Sequence, residues 1–272
     1  MDFVRAVVLG IVQGLTEFLP VSSSGHLILV PALFRWPDQG LAFDVALHAG
    51  TLIALLGYFW REWLGMAAAL GADLRHRRFA WRSLSPQSRL FLLIVVGTVP
   101  AGVAGLLLND WIEAHVRQPW LVACTLGAFG AVMLLVDRRT VGRRDAQVLG
   151  IGAAFFIGCG QALALIPGVS RSGATITAAL VMGLRRDEAA RFAFLLGTPA
   201  FAGAFLLEAR DLPQAEGGLL VPLVGMVVAT LVGAAAIAWL LRFLRTRSLA
   251  PFVYYRWLVA ALTLLIGALR VA

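Results

Sequence analysis

The sequence predicts an all-α polytopic membrane protein: an inverted-topology repeat, each half a re-entrant helix hairpin plus three transmembrane helices. Three observations predict it. Hydrophobic residues make up 60% of the 272-residue chain and charged residues only 14%, with a mean hydropathy of +0.85. Apolar stretches recur at 90–108, 120–136, 219–241 and 252–269, each near the ~20 residues that cross a bilayer core. A β-barrel would instead alternate in polarity over roughly 10-residue segments. Finally, two polar islands repeat. Val21-Ser22-Ser23-Ser24-Gly25 and Val169-Ser170-Arg171-Ser172-Gly173 lie 148 residues apart (170 − 22), and Gln13 matches Gln161 at the same offset.

The repeat divides a single membrane domain, 1–272, into halves 1–144 and 145–272. In the first half a short helix over 2–18 leads into the serine-rich loop, and Pro20 stops it. A second helix over 25–34 is too short to span the membrane. In the second half the corresponding helices are 145–166, stopped by Pro167, and 173–183. Non-helical backbone at membrane depth survives only where protein shields it or it lines a polar cavity, so each pair reads as a re-entrant hairpin. Spans at 41–60, 90–108 and 120–136 follow the first hairpin, and 189–207, 219–241 and 252–269 the second. Three is odd, so the second half enters the membrane upside down.

Arginine placement tests that topology independently. With 61–89 in the cytoplasm, the clusters at 138–144, 185–191 and 242–256 fall there too. The opposite side holds only Arg5, Arg35, Arg117, Arg210 and Arg270, with Arg171 left in the membrane. On this arrangement the two loops enter from opposite faces and meet near the midplane, where inverted repeats build sites from broken helices. Each loop feeds a helix N-terminus, expected at Gly25 and Gly173, and such ends favour anions.

The net charge of +8 comes from arginine alone, without lysine. Its confinement to loops, with no base-stacking surface beside it, argues against nucleic acid as a partner. Cys124 and Cys159 read as small core residues. The apolar N-terminus lacks a basic leader and a small-residue cleavage site, so it reads as part of the mature fold. Trp60, Trp63, Trp111, Trp120 and Trp257 are expected to anchor span ends at the interface.

The ionisable residues within apolar segments carry the chemistry. Gln13 and Glu17 share a helix face at i and i+4. A carboxylate at this depth costs roughly 2.5–3.5 kcal/mol on insertion scales, so Glu17 reads as a metal ligand or general base, against a helix-end residue reaching the interface. His26 follows the first loop and reads as catalytic beside three serines and near Glu17, against a satisfied structural donor. His48 and Asp44, also i and i+4, form a candidate structural pair. Arg171 needs an anionic partner, and its planar fork suits phosphate oxygens; an ion pair with Glu17 is the structural alternative. Ser170, Ser172 and Thr175 add hydroxyls, more than helix capping explains. The set points to phosphate chemistry without a P-loop or kinase motif. A serine hydrolase would have no need of a fixed guanidinium.

Gln13-Gly-Leu-Thr-Glu17-Phe-Leu-Pro-Val-Ser-Ser-Ser-Gly-His26 and Pro167-Gly-Val-Ser-Arg-Ser-Gly-Ala-Thr175 resemble the two signature motifs of bacterial undecaprenyl-diphosphate phosphatases. The resemblance extends over the whole chain in length and segment order. It implies a hydrolase of the cytoplasmic (inner) membrane that removes the terminal phosphate of undecaprenyl diphosphate. That activity returns the lipid carrier for peptidoglycan synthesis and confers bacitracin resistance. By motif, it implies Glu17, Ser23, His26 and Arg171 as catalytic residues. Ser22, Ser24, Ser170, Arg171, Ser172 and Thr175 would bind phosphate. Glu17 with Gln13 would bind a divalent cation, Mg²⁺ or Ca²⁺. The family's pair is Glu/Gln-x-x-x-Glu, so one carboxylate here stands where other members carry two. The expected partners are a long-chain polyprenyl diphosphate and the bilayer; a homodimer stays open. A polyprenyl-phosphate transporter or flippase is the rival reading, because inverted repeats with midplane sites also suit transport.

Overall fold

In a computed structural model the chain is described over residues 2–37, 39–76, 80–116, 118–140, 142–208 and 219–271. Of the arginines expected in loops, Arg77, Arg78, Arg117 and Arg210 lie outside these residues. The described residues form eleven α-helices and no named strand. Five helices are long and apolar enough to cross a membrane, or six if one bent pair counts as a single span. The outer faces stay apolar: Leu106, Leu107 and Leu231 are two-thirds exposed or more. This is a multi-pass membrane protein.

The first hairpin is α1 (Phe3–Phe18) and α2 (Ser23–Phe34). The Asp2 carboxylate caps α1 by accepting from Arg5 N–H. Then come α3 (Leu41–Tyr58) and α4 (Trp60–Arg75), bent by 63° at Phe59. After Phe59 the chain runs on as a helix, anchored where Glu62 pairs with Arg191 and the buried Asp73 accepts from Ser85 N–H and the Ser88 hydroxyl. Both α5 (Pro86–His115) and α6 (Pro119–Arg139) open on proline, which suits a first helical turn.

The second hairpin is α7 (Ile151–Leu163) and α8 (Arg171–Val181), followed by α9 (Arg186–Glu208), α10 (Leu220–Phe243) and α11 (Ala250–Val271). The leading segment is shorter than the expected 145–166. A single 3₁₀ turn at Ala146–Val148 precedes it, and extended backbone at Leu149 and Gly150 separates the two.

The halves interlock by exchange. α1 packs mainly on α10 of the other half, and its counterpart α7 packs mainly on α5; α6 and α11 pair with one another. Small residues allow this closeness, as is usual between helices in lipid. Gly10 on α1 meets the Gly225 carbonyl of α10, and Gly158, its counterpart 148 residues on, meets Gly97 of α5. Phe18 and Phe194 meet edge to face at 5.6 Å within the main core. The cysteines are a correction: Cys124 and Cys159 are free and exposed on the outer helix faces. Apolar surroundings in sequence do not distinguish a core from a lipid-facing surface.

Candidate active site at the two serine-rich loops

Both loops turn on the same backbone feature. Ser22 and Ser170 have φ of +77°, a left-handed value rare for a side chain with a Cβ. The chain therefore reverses at these serines, and the helices start at Ser23 and Arg171. The expected starts at Gly25 and Gly173 are corrected by two residues. Ser23, Ser24, Arg171 and Ser172 consequently sit in first helical turns, where backbone N–H groups lack helical partners. Positive φ repeated at equivalent positions singles out the two loops as a candidate site.

The loops also touch. The Ser172 hydroxyl donates to the Leu19 carbonyl at 3.2 Å. Arg256, wholly buried on α11, binds both loops at once. Its Nη1 donates to Pro20 O at 3.3 Å and Val169 O at 3.1 Å, its Nη2 to Gly168 O at 2.8 Å, and its Nε to Leu126 O at 3.1 Å. Arginine counting had placed Arg256 among the cytoplasmic cations. Its position in an apolar run was the signal that it belongs inside.

The first functional group lies on α1 and α3. Gln13 and Glu17 are buried, and Gln13 Nε2 donates to Glu17 Oε2 at 2.8 Å. His48 Nε2 stands 3.8 Å from the same carboxylate oxygen. His48 Nδ1 donates to the Asp44 backbone carbonyl at 2.8 Å, while the Asp44 carboxylate accepts from Gln39. His48 is therefore turned toward Glu17, a partner the i, i+4 spacing did not indicate. Glu17 is enclosed by protein, 5% exposed.

The second group centres on His26, which is buried with both ring nitrogens engaged. Nδ1 lies 2.7 Å from Ser22 O and Nε2 lies 2.8 Å from the Tyr255 hydroxyl. A carbonyl only accepts, so Nδ1 carries the proton; in the neutral ring Nε2 then accepts from Tyr255. Ser23 is half-buried, and no hydrogen bond joins its hydroxyl to His26 among the described residues. The Ser22 hydroxyl, buried, pairs with that of the exposed Ser24 at 3.3 Å.

Arg171 forms the third. Its guanidinium carbon lies 4.0 Å from the Phe201 ring centroid, a cation–π contact. Its Nη1 is buried without a hydrogen-bond partner among the described residues. The structural alternative of an ion pair with Glu17 is absent among them. The neighbouring hydroxyls are held in place: Ser170 Oγ accepts from Gly173 N–H and pairs with Ser172 Oγ, and Thr175 donates to Arg171 O. Tyr255, Arg256 and Phe201 thus join the site beyond the residues that sequence singled out, and His48, read there as half of a structural pair, joins it through Glu17.

The donor set bears on a cation too. No group of three or more His, Cys, Asp or Glu side chains suited to a metal occurs among the described residues. However, Gln13 Oε1 is buried and unpartnered beside the Glu17 carboxylate. Two hard oxygen donors fit part of a Mg²⁺ or Ca²⁺ shell, the remainder of which would come from substrate oxygens and water.

Residues 6–262 match the family described as Bacitracin resistance protein BacA. The chain is 44% identical to a protein of Alcanivorax borkumensis named undecaprenyl-diphosphatase, over 94% of this chain and 96% of that one. It is 44% identical to the undecaprenyl-diphosphatase of Moorella thermoacetica, over 99% of this chain and all of the relative. Undecaprenyl-diphosphatase 2 of Stutzerimonas stutzeri is 45% identical over 98% of both chains. With nearly its whole length matched, this chain belongs to the BacA bacitracin-resistance family.

Proposed function

We propose that this protein is an undecaprenyl-diphosphate phosphatase of the bacterial cytoplasmic membrane. It cleaves the terminal phosphoanhydride to give undecaprenyl phosphate and inorganic phosphate, recycles the carrier lipid for cell-wall synthesis, and so confers bacitracin resistance. The single observation that carries this reading is Arg171. Its guanidinium is held by Phe201 at the first turn of a helix, with a buried N–H left for an anion. Its fork and the backbone N–H groups of α2 and α8 supply charge stabilisation where phosphoryl transfer needs it. The relatives' names support the substrate.

In this reading Ser170, Ser172, Thr175, Ser22 and Ser24 shape the phosphate pocket around Arg171. An oxygen nucleophile, Ser23 or a water in its place, attacks the terminal phosphorus as the bridging P–O bond breaks and undecaprenyl phosphate leaves; where Ser23 attacks, water then hydrolyses the phosphoserine to release inorganic phosphate. His26 handles the proton, which requires its Tyr255 bond to exchange. Glu17 and Gln13 Oε1 would hold a divalent cation, which neutralises phosphate charge when bound. The topology is an inverted repeat, with the loops entering from opposite faces; the reciprocal α1–α10 and α7–α5 packing supports a two-fold relation between the halves. Arg138, Arg139, Arg143, Arg144, Arg185 and Arg186 then face the cytoplasm.

The test is undecaprenyl diphosphate labelled in its terminal phosphate, given to purified protein. Label should leave as inorganic phosphate, with the lipid monophosphate as the other product. Released pyrophosphate, or lipid moved across vesicles with its label intact, would overturn the reading. In a rapid quench, label trapped on wild type but not on Ser23→Ala assigns the attack to Ser23, and none trapped on either assigns it to water.

A further inference from the structure

Gln161 is the second-half counterpart of Gln13, and the reading above leaves it without a task. It lies on α7, 3% exposed, with neither Nε2 nor Oε1 hydrogen-bonded among the described residues. Two donors and an acceptor are thus removed from water without compensation, a costly arrangement that native interiors rarely keep without use. Nearby buried hydroxyls differ: Thr198, Thr175 and Thr177 each donate to a helix carbonyl. Gln13 differs as well, since Glu17 anchors its Nε2.

The surroundings of Gln161 connect it to Arg171. A Cβ on Gly197 of α9 would lie 3.9 Å from Gln161 Oε1 and 3.4 Å from the Phe201 ring. Phe201, one turn further along α9, is the ring that carries the Arg171 guanidinium. One turn of α9 therefore borders both the Gln161 amide and, through Phe201, the Arg171 guanidinium, whose buried Nη1 has no partner among the described residues, and Gly197 places no side chain against the amide.

We propose that Gln161 is a further substrate-contacting residue, whose Nε2 donates to a non-bridging oxygen of the diphosphate clamped by Arg171. This rests on the phosphatase reading. A neutral amide adds direction without charge, while Arg171 supplies the charge. The two halves then divide the work. The first-half glutamine is tied to Glu17 and offers its carbonyl oxygen to a cation; the second-half glutamine is untied and offers its N–H to the anion.

The experiment measures direct binding of inorganic pyrophosphate to detergent-purified wild type, Gln161→Leu and Gln161→Glu, alongside kcat, KM and thermal midpoint. Removing one hydrogen bond to a charged ligand should weaken pyrophosphate binding and kcat/KM in Gln161→Leu by roughly 10- to 100-fold. Its midpoint should hold or rise, because an unpaired buried amide has gone. Gln161→Glu should be worse, with a carboxylate facing phosphate. Wild-type pyrophosphate affinity in Gln161→Leu would overturn the proposal and leave the amide as an internal water site. Should Gln161→Leu fail to fold, Gln161→Met carries the same comparison. Wild type that binds pyrophosphate without hydrolysing lipid would count against the phosphatase reading instead.

Discussion

The His26 ring and the Tyr255 hydroxyl, 229 positions apart in sequence, are joined by a 2.8 Å hydrogen bond at Nε2. With Nδ1 fixed on the Ser22 carbonyl, the ring has one orientation and one neutral tautomer. α11 thus holds the basic nitrogen, Nε2, through Tyr255, while the protonated Nδ1 faces the first loop. Tyr255→Phe keeps the ring stacked and removes only the hydroxyl. It should lower kcat by about 5-fold, the worth of one modest hydrogen bond, with KM little changed. Equal effects on both constants, or none on either, would mean that Tyr255 does not orient the histidine.

Arg256 is the residue that holds the loops as a pair. Its guanidinium reaches carbonyls on Pro20, Gly168, Val169 and Leu126. Lysine keeps the charge but has neither the fork nor the reach for that set. Arg256→Lys should lower stability by about 1–3 kcal/mol, the cost of leaving buried acceptors unmet. The thermal midpoint in detergent and kcat should fall together, because the same bonds serve both. Full activity at a lowered midpoint would separate loop geometry from catalysis.

Much of this arrangement was legible in the sequence. The apolar runs gave spans close to those of α3, α5, α6, α9, α10 and α11, and the 148-residue offset exposed the matching loops. What escaped were contacts that join distant segments. Periodicity describes one helix at a time, so Asp44 looked like the partner of His48 when Glu17 on α1 is. Arg256 resembled the loop arginines nearby in sequence, and only packing shows it enclosed. The glycines marked the loops correctly but not the turn itself, which Ser22 and Ser170 make by accepting a left-handed backbone.

Asp137 makes a different junction, away from the loops. It is buried, accepts from Arg186 Nε at 2.6 Å and from Leu249 N–H at 3.1 Å, and so ties α6 to the starts of α9 and α11. Asp137→Ala should destabilise by about 1–3 kcal/mol, seen as a lower midpoint, while kcat per folded molecule stays at the wild-type value. A loss of kcat without a loss of stability would give Asp137 a role in the reaction.

Glu17 anchors the proposed cation site with a single carboxylate. Glu17→Gln should raise the Mg²⁺ or Ca²⁺ concentration needed for half-maximal activity by roughly 10-fold or more, since a hard cation loses its one charged protein ligand. The check is a metal titration of chelator-stripped protein. An unchanged titration would put the cation elsewhere.

The most direct test of the central claim is kcat/KM for undecaprenyl diphosphate in Arg171→Lys, measured beside wild type at saturating divalent cation. Arg171 pairs with no carboxylate among the described residues, so the substitution should leave the thermal midpoint unchanged. Without the bidentate fork, kcat/KM should fall by about 10²–10³. A well-folded Arg171→Lys enzyme with wild-type kcat/KM would contradict the account, because the diphosphate would then be held by something other than the arginine that opens α8.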